Sequence, residues 1–457
     1  VFFCKQKRLF ILLTLTSYNI RKMILYGKAM NQKIENLLNV SLSATRKELE
    51  NSESLSTGFN WRDDTWEIIV KYSGTLENIR KKYNVYIREL LYNYAIIVTD
   101  KNTIELISQE TNIDYIEKPK SIYFQLERAK SAACANNVQA GNKNIVNKNV
   151  IRNAYDGTYL SGKGVIVAVI DTGIDILSEE FRKSDGSTRI LNIYDQTQQT
   201  EYNEEDINAY LNKAIVNKDN TYNGRSIQIP GADNTQHGTN VAVIACGRSG
   251  VAYEADIIGV KMGYSYNNQF PRTTSLMDAI DYVIRKAMEY EKPVAINISY
   301  GFNYGDHDGN TLLERYINDV AAGYKCSICI GSGNEADKAV HYGNIIKQGQ
   351  TDTVEISVSE YEHSIDIQIW KYYWDVYRIM LAGPDGVQFN ITGQGYINRF
   401  RILDTDIISL LGEPSPYNLY QEIYINLQPS KDYITPGIWK IIIYGESIRQ
   451  GVYNIWL

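Results

Sequence analysis

Val165-Ile166-Val167-Ala168-Val169-Ile170-Asp171-Thr172-Gly173 is the stretch on which the fold turns. An unbroken apolar run rich in β-branched residues leaves no position for a wet face, so it predicts a strand covered on both sides, as in a parallel sheet. The run gives out at a carboxylate. Ligands and catalytic groups of open α/β sheets collect at the carboxyl ends of strands, which makes Asp171 a candidate. An Asp that merely opens a turn has the same local signature, so this segment alone leaves its role open.

Downstream, strand-like runs at 255–261, 294–299 and 327–330 alternate with helix-like runs at 240–246, 275–290 and 312–322. That rhythm predicts an α/β domain. Upstream, strand-like 66–72, helix-like 75–82, strand-like 94–98, helix-like 103–110 and a short strand at 114–116 predict a small α+β sandwich. Residues 31–60 are polar, with helical spacing in Ile34, Leu37, Leu38 and Val40, and read as a tail or linker. Asn and Lys crowd 136–149, which marks an exposed connection. After Val340 the pattern changes: Val354, Ile356 and Val358, then Ile365, Ile367 and Ile369, alternate with mostly polar residues. Turn signals at Pro384-Asp385-Gly386 and Gly393-Gln394-Gly395 separate such runs, predicting an antiparallel β-sandwich or jelly roll. Three units suit a chain of 457 residues.

The balance of 47 basic against 53 acidic residues gives a net charge of −6, with no basic stripe to neutralise phosphates, so nucleic acid is not an expected partner. Five cysteines are few and odd in number, which argues against a disulfide framework. Cys326 and Cys329 form a C-x-x-C inside an apolar run, and with no second pair or nearby His they read as part of a buried strand rather than a zinc site. Lys5, Lys7 and Arg8 precede the apolar residues 9–15, which imitates a signal peptide, but no small-residue cleavage site follows. The run is also far below the roughly 20 residues that span a bilayer, so no membrane partner is expected. Val1 is not an initiator, whereas Met23 and Met30 can be.

Two further segments carry functional groups. His237-Gly238-Thr239-Asn240-Val241-Ala242 puts an imidazole at the mouth of an apolar helix, a setting that His307, His341 and His363 lack. A surface His beside a helix cap explains it equally well in isolation. Ile330-Gly331-Ser332-Gly333-Asn334-Glu335 runs a strand into small residues, which let a backbone pass close to a substrate, and into one amide able to donate to an oxyanion. A plain Gly-Asn turn is the alternative.

Together and in this order, the D-T-G, H-G-T and G-N segments resemble the subtilisin family of serine proteases. Gly250-Val251-Ala252-Tyr253-Glu254-Ala255-Asp256 and Asn297-Ile298-Ser299-Tyr300-Gly301 also match in place. The resemblance covers roughly 145–340 and implies that Asp171 orients and supports His237, that His237 is general base and then acid, and that Asn334 donates to the tetrahedral oxyanion. It further implies that Ser299, Tyr300 and Gly301 hydrogen-bond substrate backbone.

The departures from the family matter as much. Nothing after Asn334 has the Gly-Thr-Ser form of the family's nucleophile, and Ser131-Ala132-Ala133 imitates it only ahead of Asp171. Asn240 replaces a second His, and Val243 stands where Gly is common. The clostridial germination proteases, the Csp group, resemble this chain in placing a jelly roll between the oxyanion Asn and the nucleophile and in keeping a prodomain. The fold class this implies is an α/β, subtilisin-like parallel-sheet catalytic domain, incomplete, with an N-terminal α+β prodomain and a C-terminal all-β jelly-roll insertion. The expected divisions are 1–60 extension or linker, 61–125 prodomain, 126–348 partial catalytic domain and 349–457 partial jelly roll.

The nucleophile is then expected beyond Leu457, and the polypeptide as it stands is expected to be inactive, since loss of the subtilisin serine costs on the order of 10^6 in turnover. The implied function is a serine endopeptidase that processes a spore-cortex hydrolase precursor during germination, associated with the spore cortex or coat. The alternatives are a pseudoprotease that senses a germination signal or binds a partner, and a secreted subtilisin. Its partners are a protein substrate and its own prodomain, whose segment Ile122-Tyr123-Phe124-Gln125 lies at the expected self-cleavage point. No cofactor is required. Acidic loops at 201–206 and 306–310 have oxygens of the kind calcium takes, yet solvated carboxylates explain them as well, so calcium stays unassigned.

Overall fold

A computed structural model describes residues 31–124, 160–216, 221–222, 225–226, 229–263, 270–333 and 338–457. The signal-like opening, the 136–149 connection, Gln125 and the Ser131-Ala132-Ala133 decoy lie outside these residues.

The deciding run forms the Ile166–Asp171 strand, every residue of it buried. It is central in a six-stranded sheet whose spatial order is Cys326–Ile330, Val294–Ile298, Ile166–Asp171, Asp256–Lys261, Ile190–Asp195 and Thr200–Asn203. The first five strands are parallel and the last returns antiparallel. Successive side chains of a strand alternate between faces. Ile166, Ala168 and Ile170 therefore pack with the Thr273–Glu289 and Leu312–Gly323 helices, whereas Val167 and Val169 pack with Glu204–Val216 and His237–Cys246. Cover on both faces explains why the run tolerates no polar residue.

Two expectations need correction here. Residues 201–206 are not a loop: the Thr200–Asn203 strand passes directly into the Glu204–Val216 helix, and Glu204, Glu205 and Asp206 occupy its first turn, where carboxylates complement the helix dipole. Nor are Cys326 and Cys329 buried. Their strand is paired only to Val294–Ile298 among the described residues, so Cys326 is half-buried and Cys329 exposed.

The N-terminal unit is an antiparallel sheet in which Thr65–Tyr72 is flanked by Tyr94–Thr99 and by Phe59–Asn60 and Ile113–Glu117. Trp66, Ile68 and Val70 face the unit's own helices, while Ile69, Tyr94 and Ile96 pack into the core built on the Thr273–Glu289 and Leu312–Gly323 helices. Alternation thus buries the sheet on both sides and docks the unit on the central one. Residues 31–60 are not a linker. They form the helices Asn36–Ser43, Arg46–Glu50 and Glu53–Ser56, which bury Leu37, Leu38, Val40, Leu49 and Leu55 in this unit's core. Their apolar residues are sparse in sequence but converge on one face, which a reading of overall polarity overlooks.

The C-terminal unit is a β-sandwich of a six-stranded and a four-stranded antiparallel sheet around Trp439, Ile441, Ile443, Ile423 and Ile425. Its boundary moves from 349 to 341, because the His341–Ile345 strand pairs with Val452–Trp456 inside the six-stranded sheet. The three units also meet at polar groups. Lys120 Nζ lies 2.5 Å from Glu35 Oε1 and 2.8 Å from Glu117 Oε1, and Glu117 Oε2 accepts from the Leu312 N–H at the start of a central-domain helix. On the sandwich side, Glu422 accepts from Asn36 Nδ2 and from the Tyr304 hydroxyl.

Candidate active site

The central strand delivers Asp171 fully buried at its carboxyl end. From there the chain turns through Gly173, whose φ of +130° places it where a Cβ would stand 2.4 Å from the Gly231 carbonyl oxygen. Sixty-odd residues later the chain returns as a helix that begins at His237. A Cβ on the next residue, Gly238, would sit 2.3 Å from the Gly173 carbonyl oxygen and 2.9 Å from Asp171 Cβ. Only a residue without a side chain lets the helix start approach the strand end this closely.

That approach brings His237 Nδ1 to 2.6 Å from Asp171 Oδ1. The same oxygen accepts the Thr172 N–H at 2.7 Å. With Asp171 ionised, His237 donates through Nδ1, which assigns the Nδ1–H tautomer and leaves Nε2 the acceptor nitrogen of the ring. A buried carboxylate and an imidazole oriented by it, at the carboxyl end of a parallel sheet, have the geometry that an acid–base pair requires.

Residues 162–377 match the subtilase family, and residues 32–120 match the Csp protease B prodomain. The central part of the chain is thus similar to the subtilases. Among solved structures it is similar to the CspB protease of Clostridium perfringens, with 29% identity and a TM-score of 0.60 over 66% of this chain and 63% of that one. This chain therefore spans less than two thirds of that protease. Fervidolysin from Fervidobacterium pennivorans, a keratinolytic enzyme related to subtilisin, is 16% identical over 62% of this chain and 42% of its own, with a TM-score of 0.35. A cold adapted subtilisin-like serine proteinase is 23% identical over 39% of this chain and 50% of its own, with a TM-score of 0.24. No match is found among curated proteins.

The remaining candidate residues fall as follows. Asn334 lies outside the described residues, although Gly331 to its N-terminal side is held by its N–H donating to the Ile298 carbonyl at 3.1 Å. Ser299 is buried, and its Oγ accepts from Asn297 Nδ2 at 3.0 Å. Tyr300 and Gly301 form an antiparallel pairing with Phe124 and Tyr123 at the end of the N-terminal unit. The approach to that pairing is held by Lys120 and Thr273, whose backbones are joined through the Thr273 N–H, and by the Ile122 N–H donating to the Pro271 carbonyl at 2.8 Å. Beside the pairing, a cavity of about 750 Å³ opens between Tyr300-Gly301 and residues 330–333, and Phe302 and Ile317 line it. Trp456 of the sandwich borders it too, held between the rings of His307 at 3.7 Å and His341 at 3.8 Å.

Sequence reading passed over Asp233. Its carboxylate sits between the Asp171 turn and the His237 helix, accepting from Thr172 Oγ1 at 2.8 Å and from the Thr239 N–H at 2.8 Å. Burial works against its charge, but hydrogen bonds from Thr239, Thr172 and Thr235 outweigh burial and hold the carboxyl below the ordinary range. The available signal was an Asp four residues before a His in a Thr-rich segment, which is no more than a turn signature without the fold.

Proposed function

We propose that this chain carries the prodomain and the acid–base part of the catalytic domain of a serine endopeptidase. The 2.6 Å contact between Asp171 Oδ1 and His237 Nδ1 carries the reading. In the proposed reaction, Nε2 of His237 takes the proton of an attacking hydroxyl as the tetrahedral adduct forms, then passes it to the leaving amine. Asp171 stays ionised and steadies the imidazolium, and the Asn334 amide donates to the oxyanion. No serine of these 457 residues is assigned as nucleophile.

The substrate is a polypeptide in extended form. The pairing of Tyr123–Phe124 on Tyr300–Gly301 supports this, because it is the antiparallel hydrogen bonding that a protein substrate would adopt once the prodomain tail is displaced. Similarity to the Csp protease B prodomain and to the CspB protease supports a role in germination. On that reading the target is a cortex hydrolase precursor and the enzyme works in the spore cortex or coat.

A fluorophosphonate probe tests the chemistry on protein expressed from the complete reading frame. Labelling that disappears in His237→Ala supports the reading. An unlabelled wild type rejects it and favours the pseudoprotease alternative, whereas labelling that survives this substitution rejects the role given to His237.

A further inference from the structure

Asp233 touches neither the imidazole nor Asp171, yet it receives more donors than any other carboxylate of the site. Its Oδ1 accepts from Thr172 Oγ1 at 2.8 Å, Gln236 N at 3.0 Å, Thr235 Oγ1 at 3.1 Å and Thr235 N at 3.2 Å. Its Oδ2 accepts from Thr239 Oγ1 at 2.7 Å and Thr239 N at 2.8 Å. Three of the six donors are backbone N–H groups within the first turn of the His237 helix or immediately before it. Those N–H groups have no intrahelical partner, and an anion is the acceptor that best satisfies them.

The local backbone gives this anchoring a purpose. Gln236, the residue that enters the helix, is left-handed at φ 62° and makes no side-chain cap hydrogen bond. Non-glycine residues hold that conformation only where surrounding contacts impose it. Asp233 supplies those contacts by taking Gln236 N on one side and Thr239 N on the other. The helix start that carries His237 is therefore capped from a carboxylate outside the usual cap position.

Thr172 completes the link. A hydroxyl has one proton, and its contact to Asp233 at 2.8 Å is better than its contact to Asp171 at 3.2 Å, so it donates to Asp233. Its lone pairs then accept Gly238 N at 3.0 Å, and the Thr235 hydroxyl, which shares its one proton between Asp233 and Thr172, lies 3.0 Å away. Asp171, Thr172, Asp233 and Gly238 form one connected set, and the Gly238 N–H is the neighbour of His237 in the chain. We infer that Asp233 is a positioning residue, which holds the His237 helix start and the Asp171 turn in the register that brings imidazole and carboxylate together.

This inference rests on the proposed protease reading, and the test separates the two by reading the Asp171–His237 bond without any nucleophile. In the full chain, the Nδ1 proton of His237 is followed by NMR in the far-downfield region, where strongly hydrogen-bonded imidazole protons resonate, together with thermal stability. Wild type is expected to show the signal. Asp233→Asn keeps the shape but replaces an acceptor oxygen by a donor, and it is expected to exchange this proton with solvent about tenfold faster or to lose the signal. Asp233→Glu is expected to restore it in part. Thr172→Val cuts the link without altering Asp233 and, should the Asp233 variants not fold, is expected to give the same loss. A signal unchanged in Asp233→Asn or in Thr172→Val, with only the melting temperature lowered, overturns the positioning role. A signal absent from wild type overturns the protease reading instead.

Discussion

Lys120 Nζ stands 2.5 Å from Glu35 Oε1 with both side chains closed off from solvent, and the two belong to opposite ends of the N-terminal unit. Glu35 precedes its first helix, and Lys120 begins the tail that runs on toward Tyr300. The same ammonium also serves Glu117 at 2.8 Å, so removing it strands two carboxylates in a dry site. Lys120→Met should lower stability by about 3–5 kcal/mol, the usual result of breaking a buried pair from one side. Denaturant titration of the variant against wild type checks this. A loss within error of zero would show that water reaches the site.

The junction should also respond to pH. Burial, the largest influence on both groups, pushes the Glu35 and Glu422 carboxyls up to about 7 from the ordinary 4.5. The folded state then holds protons that the unfolded state has released. Each group's contribution is fully present below 4.5 and is lost as pH rises through about 7. Glu422→Gln cannot ionise, so between about pH 5 and about pH 8 it should gain on wild type by up to about 3 kcal/mol. Melting temperatures of both proteins across that range check the sign as well as the size.

Gly238→Ala should disable the site without touching a functional group. The new methyl carbon would meet the Gly173 carbonyl at 2.3 Å, so the helix start must move away from Asp171. A displacement of about 1 Å at such a site costs roughly 100-fold in reaction rate. Fluorophosphonate labelling rates on the complete protein check it, and a rate within twofold of wild type would show that the helix start can yield harmlessly.

Tyr123→Pro should loosen the tail. Proline has no N–H and a fixed φ, so it fits poorly into the strand that pairs with Tyr300–Gly301, where a ladder hydrogen bond is worth about 1 kcal/mol. Amide exchange at Tyr300 and Gly301 should speed up by roughly tenfold, and mass-spectrometric exchange on the full chain measures it. Unchanged protection would mean that the pairing does not govern access to this edge.

How much of this was legible beforehand depended on whether the signal was local. Period-two alternation and unbroken apolar runs pointed to the Ile166–Asp171 and Thr65–Tyr72 strands, and the runs at 275–290 and 312–322 pointed to the two helices on which the N-terminal unit docks. The Ile190–Asp195 strand went unread, since its polar Asn192 and Asp195 interrupt the apolar pattern. Both are nonetheless buried, satisfied by Glu201 and Tyr290 and by Thr197.

The amino-acid sequence by itself determined the parallel strand, its terminal carboxylate, the imidazole at a helix mouth and the alternation of the β-sandwich, because each is written in neighbouring residues. Only the tertiary structure decided that Asp233 ties strand to helix, that residues 31–60 are core, that Glu35 shares Lys120 with Glu117, and that Cys329 lies on an exposed strand. Those are relations between segments tens to hundreds of residues apart. Burial and hydrogen-bond partners are set by which surfaces meet, and no local pattern carries that information.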